Sequence, residues 1–220
     1  MPQSGLPSAL SSNAQKANLR RMTAKSAPAR ARLKPQERRA QLISIGLRLL
    51  TTRPIHDMSI DEVAAEAGIS RGLLFHYFPT KRDYYVAVVH AGGRRLLLHA
   101  TAPDEGTPTD RVRGIVDGFV SFVQRRKDNY VAVVRAAAGG DERVLEVFED
   151  NRRTLADRVL QAAGIHAPTP LQRLAVRGWL AMMEEMAISS TADVIHKEDL
   201  VDLLVGSLER SMEQFSAAPR

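Results

Sequence analysis

The fold is decided by Ser59-Ile60-Asp61-Glu62-Val63-Ala64-Ala65-Glu66-Ala67-Gly68-Ile69-Ser70-Arg71-Gly72-Leu73-Leu74-Phe75-His76-Tyr77-Phe78. It reads as two short helices and the turn between them. Ser59 and Glu62 make a capping box, each side chain satisfying a backbone donor at the other residue. Ile60, Val63, Ala64 and Ala67 follow at helical spacing. Gly68 supplies the left-handed conformation that a tight interhelical turn requires. Ser70 then caps a second helix running to about Phe78. A helix this short is marginal alone and must be anchored by packing, for which Leu74 and Phe78, four residues apart, are suited. Arg71, Leu73, Phe75, His76 and Tyr77 are left facing outward or sideways. Leucine and aromatic side chains exposed beside Arg and His suit a DNA major groove, where apolar groups meet thymine methyls and arginine reads guanine.

Outward from this stretch everything except the N-terminus reads as helix. Upstream, Pro35 opens a helix with Leu42, Ile45, Leu49 and Leu50 on one face, and Pro54 ends it. Downstream, Pro79-Thr80 precedes a long helix starting near Lys81. Thr109 is expected to cap a stripe of Val112, Ile115, Val116, Phe119 and Val123, and Asp128 to start a short helix ending at Gly139-Gly140. Asp141 caps a helix carrying Val144, Leu145, Phe148, Leu155 and Val159, closed by Gly164. Thr169-Pro170-Leu171-Gln172 is a second capping box, opening a helix to about Ser190. A last helix runs from about Lys197 to Phe215 with Leu200, Leu204, Leu208 and Met212 in line. Period-two alternation is missing and aromatic residues make up only 5%, which disfavours a β-rich fold. The fold class is therefore all-α.

Composition narrows the function. The absence of cysteine excludes disulfides, thiolate metal sites and cysteine nucleophiles. No long unbroken apolar run suggests a membrane span, no apolar stretch near the start suggests a secretory signal, and a cytoplasmic location is expected. The net charge of +6 is unevenly placed: residues 1–84 hold 14 Lys and Arg against 6 Asp and Glu, the remainder 17 against 19. A basic segment on a near-neutral body is the footprint of a polyanion binder. Residues 1–34, rich in Ser, Ala and Pro and carrying Arg30, Arg32 and Lys34, hold too little apolar surface to offset chain entropy and are expected to be a disordered basic tail. Met22 is a second candidate start within it.

The 39–81 stretch resembles the TetR family of transcriptional regulators. Arg39, Leu42-Ile43, Ser59, Val63-Ala64, Ala67-Gly68-Ile69-Ser70, Gly72, Leu74-Phe75, Tyr77-Phe78 and Lys81 match the family pattern in type and spacing. The resemblance implies an N-terminal three-helix, helix-turn-helix DNA-binding domain over 35–82 and a helical effector-binding and dimerisation domain over 83–220. It implies a non-enzymatic regulator of double-stranded DNA, a repressor by family default, without cofactor or metal. The DNA-contacting set is then Arg39, Ser59, Ser70, Arg71, Gly72, Leu73, Phe75, His76, Tyr77 and Lys81. Ser59, Tyr77 and Lys81 correspond to phosphate-gripping positions, which fix register, and Arg71 is the first candidate for specificity. Phe75 stands where tyrosine is usual, and it either enters the groove or packs on the fourth helix. Arg30, Arg32 and Lys34 either follow the DNA as a basic arm or belong to a solvated tail. Asp61 stands where some relatives carry a base-reading cation, and is expected to repel phosphate or to serve the helix dipole.

The implied C-terminal body has legible features. The helix from Leu171 carries Leu174, Trp179, Leu180, Met182, Met183, Met186 and Ile188 around most of its circumference, so it should be covered on both sides, once by its own core and once by a partner. A homodimer through the last two helices follows. Arg152 falls about 40° from Phe148, inside an apolar face. Glu185 falls between Ala181 and Met182, and Glu184 lies on the polar side with Arg173 and Arg177. Each charge in a stripe needs a partner: Arg152 and Glu185 either pair or reach the surface, or one anchors a small molecule in a pocket lined by Phe119, Val123, Phe148, Trp179 and Met183. Two other readings stand beside the effector-released repressor: an architectural DNA binder without effector, and a helical enzyme. Neither a His-Glu-x-x-His nor a phosphate-cradling glycine loop is present to support the enzyme.

Overall fold

A computed structural model describes residues 33–49, 57–139, 141–190 and 194–217. The expected tail with Arg30 and Arg32, and the loop with Pro54, lie outside the described residues. Among those described, nine helices follow in order: α1 (Pro35–Leu49), α2 (Ile60–Ala67), α3 (Arg71–Tyr77), α4 (Lys81–His99), α5 (Pro108–Gln124), α6 (Lys127–Ala138), α7 (Glu142–Ala162), α8 (Pro170–Ser189) and α9 (Lys197–Ala217). The chain divides after Glu37 into two compact units. Within the first, the Lys34 amide donates to the Glu37 carboxylate at 2.9 Å. The second holds all that follows.

Local chemistry sets most helix ends. Thr80 and Asp83, and Thr169 and Gln172, form reciprocal capping boxes at the starts of α4 and α8. The cap of α5 is Thr107, not the expected Thr109: Pro108 takes the first helical position and Asp110 completes the box. Thr109 instead reaches across to the Glu209 carboxylate on α9. Ser59 accepts from the Asp61 amide at 3.2 Å, one residue before the Glu62 amide that a full box uses.

Two apolar clusters form. The first gathers Leu42, Ile45 and Leu49 of α1, Ile60, Val63, Ala64 and Ala67 of α2, Leu74 and Phe78 at α3, and Tyr84 and Val88 of α4. Ala137 and Val144 extend it into α6 and α7. The second is built around α5, which packs against α4, α6, α7, α8 and α9. Its Val112, Ile115, Val116, Phe119, Val120 and Val123 are all buried there. Trp179, Leu180 and Met183 of α8 join Leu200, Leu204 and Leu208 of α9 in the same cluster. Leu145, expected on the apolar face of α7, is exposed.

Close approach of α1 and α4 depends on Gly46. A β-carbon there would stand 2.6 Å from both Tyr84 Oη and Val88 Cγ2. Neither neighbour is free to retreat, since Tyr84 is buried and its hydroxyl donates to the Leu42 carbonyl at 2.8 Å. Gly46→Ala is expected to destabilise the protein by about 1–3 kcal/mol through overpacking. Denaturant titration checks this, and an unchanged midpoint would show that α1 and α4 separate freely.

Candidate functional site

The α2–turn–α3 unit presents one face of α3 to solvent. Gly68 has φ +65°, and its amide together with that of Ile69 closes the end of α2 on the Ala64 and Ala65 carbonyls. Ser70 Oγ accepts from the Leu73 amide at 3.2 Å. With Leu74 and Phe78 fully buried, helical geometry turns Arg71, Gly72, Leu73 and His76 outward, and all four are exposed. Phe75 and Tyr77 are half-buried and pack against the first apolar cluster. Lys81 is exposed at the first turn of α4, and Arg39 lies with its guanidinium 5.0 Å from the Phe78 ring centroid. The structure thus gathers Arg39, Ser70, Arg71, Gly72, Leu73, Phe75, His76, Tyr77 and Lys81 on or beside α3, with Ser59 at the head of α2.

Asp61 has a role that the sequence did not disclose. Its carboxylate stands 3.5 Å from Arg71 Nη1, and the Arg71 guanidinium lies 5.5 Å from the Phe75 ring centroid. Both charges are well exposed, so the pair adds little stability. It places a carboxylate beside Arg71 on the exposed face of α3.

A cavity of about 100 Å³ lies in the body, walled by residues of α4 (Val89, Leu96), α5 (Phe119, Phe122), α6 (Tyr130, Val133) and α7 (Phe148, Leu155). Of the expected lining, Phe119, Phe148 and Arg152 are at its wall. Val123, Trp179 and Met183 are instead packed in the core, and the Trp179 indole N–H donates to the Leu204 carbonyl at 3.0 Å. The expected positions of the two α8 glutamates are reversed. Glu184 is buried, accepts from the Tyr130 hydroxyl at 2.8 Å and lies 3.5 Å from Arg152. Glu185 is exposed, accepts from the Ser189 hydroxyl, and is not part of the cavity wall. α7 packs along the polar side of α8, where the exposed Arg173 pairs with Asp157 and the exposed Arg177 with Glu149. A charged seam between helices looks like a solvent face on a helical wheel.

Burial pushes the Glu184 carboxyl above its usual value, although the Tyr130 hydroxyl and Arg152 pull the other way. The Tyr130 hydroxyl is driven well up, first by burial and then by Glu184. Among the described residues no group of three or more His, Asp or Glu is placed to hold a metal ion, and no helix is long and apolar enough to cross a membrane.

Comparison with known proteins agrees with this geometry. Residues 42–88 match the model of the tetR family of bacterial regulatory proteins, and residues 108–210 that of a tetracyclin repressor-like C-terminal domain. The chain belongs to the TetR family. A TetR-family transcriptional regulator from Streptomyces coelicolor has a crystal structure that superposes with a TM-score of 0.75 at 28% identity, covering 84% of each chain. The transcriptional activator FasR of Mycolicibacterium smegmatis is 30% identical over 45% of this chain and 46% of its own length. The regulator BetI of Pectobacterium atrosepticum is 35% identical over 37% of this chain and 44% of its own length. The chain thus aligns with just under half the length of these curated relatives.

In this TetR-family chain two ion pairs tie down the start of α4, the helix that follows α3. Arg82 makes two bonds to Asp141, at 2.8 and 3.2 Å, and Asp83 accepts from Arg143 at 2.7 Å. Their carboxyls are held below the usual range, mainly by those bonds, Thr80 adding to the effect at Asp83. Asp141 therefore both caps α7 and anchors α4. About ten residues on, α4 contributes Val89, Gly92, Gly93, Arg95 and Leu96 to the cavity wall.

Proposed function

We propose that the protein is a homodimeric, sequence-specific DNA-binding transcriptional regulator, a cytoplasmic repressor released from its operator by a small-molecule effector. The observation that carries this reading is the outward face of α3, where Arg71, Leu73 and His76 stand exposed on a helix anchored by Leu74 and Phe78. Residues 35–82 form the DNA-binding domain and residues 83–220 the body. Arg71 reads a base edge. Lys81 at the start of α4, Arg39 and Tyr77 contact phosphates, and Ser59 adds a contact from the start of α2. The name of the FasR relative describes an activator, so the repressor reading rests on the family default.

Dimerisation uses the outward faces of α8 and α9. Leu171 and Leu174 are 58% and 65% exposed, Met182 lies on the same side of α8, and Leu203 is exposed on α9. Residues 171, 174, 178 and 182 fall within one arc of about 80° on a helix of 3.6 residues per turn, and the exposed Glu185 lies in the same arc. A partner copy covering that arc gives a four-helix interface. Effector and operator communicate through α4, whose Lys81 and whose cavity wall at Leu96 are about 20 Å apart along one rigid helix.

Selection of bound DNA from a random pool tests the reading. The expected product is an inverted repeat, because a two-fold dimer presents two equivalent heads. A pool without enrichment, or a site without dyad symmetry, would overturn it. Arg71→Ala is expected to relax preference at one base pair per half-site, by about 1–3 kcal/mol each. Lys81→Ala should weaken all sequences alike and reduce the salt slope by about 1 for each Lys81 lost. Binding isotherms on permuted sites at several salt concentrations separate the two outcomes.

A further inference from the structure

The cavity wall carries three arginines, Arg95, Arg126 and Arg152, and no carboxylate. Arg152 is compensated: Glu184 and Glu149 stand 3.5 and 3.9 Å away. The other two are not. Arg126 has its guanidinium 4.5 Å from the Phe122 ring centroid, and its Nη1 is enclosed without any hydrogen-bond partner. Among the described residues it makes no ion pair, and neither does Arg95. A cation partly removed from water without an anion is an unfavourable arrangement, because desolvation is uncompensated. Burial holds the Arg126 guanidinium below its usual value, and Arg125 and Arg95 push the same way. Two like charges therefore line a cavity whose wall also carries Phe119, Phe148 and Leu155.

We propose that the effector is a small apolar carboxylic acid, bound as its anion with the carboxylate on Arg126 and Arg95 and the hydrocarbon body between Phe119, Phe148 and Leu155. This deepens the effector-released reading above and rests on it. The polarity of the site follows from exposure: Arg95 is exposed and Arg126 half-buried, so the charged end is the mouth. The body of the ligand enters first. An incoming carboxylate supplies the acceptor that Arg126 lacks, and charge-assisted bonds to a guanidinium are among the strong ones. A neutral alcohol of equal length leaves Arg126 without an anion, and an alkylammonium adds a further cation beside it. The volume of about 100 Å³ lies below the usual size of small-molecule pockets, which selects a short chain or a single ring. Because Val89 and Leu96 of α4 line the same space, filling it bears on the helix that carries Lys81.

The test is calorimetry and thermal shift on the full chain with unbranched carboxylates from butanoate to decanoate, benzoate, 1-hexanol and hexylammonium. At least one carboxylate is expected to bind, and hexanoate at least tenfold more tightly than 1-hexanol, with hexylammonium weakest. Arg126→Met should weaken carboxylate binding at least tenfold while leaving 1-hexanol binding unchanged, which shows the cavity intact. Arg95→Gln, at an exposed position, gives the same comparison if Arg126→Met does not fold. Absence of binding by every carboxylate, equal binding of hexanoate and 1-hexanol, or undiminished carboxylate binding to the folded variants would each overturn the proposal. None of these measurements uses DNA, so failure of the operator selection and failure of the ligand assignment are told apart.

Discussion

Leu174→Arg combined with Leu203→Arg is expected to leave a folded monomer whose operator affinity has dropped at least about a hundredfold. The fold should survive because the inner side of α8, with Trp179, Leu180 and Met183, and that of α9, with Leu200, Leu204 and Leu208, remain in the second cluster. The interface should not survive. Each dimer would place four new guanidinium groups in a contact whose only carboxylate on the α8 arc is Glu185, and a buried charge without a partner costs several kcal/mol. DNA affinity falls because the second half-site is gripped at high effective concentration only while two heads are joined, an advantage of about 10²–10⁴. Sedimentation velocity, far-UV circular dichroism and gel-shift titration check the three parts. A double variant that remains dimeric would assign the interface to another surface.

Glu184→Ala is the substitution with the largest expected effect on the body itself, about 2–3 kcal/mol. Breaking a buried ion pair by removing one partner costs about 3–5 kcal/mol, and the figure is reduced here because Arg152 retains Glu149 and is itself 22% exposed. The loss includes the acceptor of the buried Tyr130 hydroxyl. A melting temperature lower by about 5–10 °C is expected for a chain of this size. Glu184→Gln keeps an acceptor for Tyr130 and should lose less. The pH dependence has a definite sign. A carboxyl whose folded-state value is raised binds its proton more tightly in the folded chain, so its contribution is fully present below the unfolded value of 4.5. That contribution declines as pH rises through the raised value. Glu184→Gln should flatten that part of the stability profile. An unaltered profile would show that another group sets it.

The reading unit was legible because its determinants are local. Gly68, Ser70, and Leu74 with Phe78 act within a few residues of themselves, through backbone conformation, capping and helical spacing. The misassigned cap of α5 is of the same kind. Thr107 and Thr109 both precede the stripe, and only the reciprocal match of Thr107 with Asp110, around Pro108, distinguishes them. That signal was in the chain.

The body differs, because there the neighbours of a side chain come from other helices. Periodicity placed Val123, Trp179 and Met183 inward, which they are. Whether an inward residue meets packed atoms or empty space depends on the sizes of residues on three or four other helices. The cavity accordingly lies along α4, α5, α6 and α7 rather than against α8. Arg126 stands between α5 and α6, where no periodicity assigns a face, and only the packed structure encloses its Nη1.

What the sequence determined by itself is the all-α fold, the helix-turn-helix with its outward side chains, and the apolar sides of α8. These follow from residue-level preferences that hold whatever the chain packs against. The tertiary structure decided which of two adjacent glutamates is buried. Angular position on a helix is a property of one element, while burial depends on what lies opposite: α7 packs against Glu184 and pairs with Arg173 and Arg177, which stay exposed beside it.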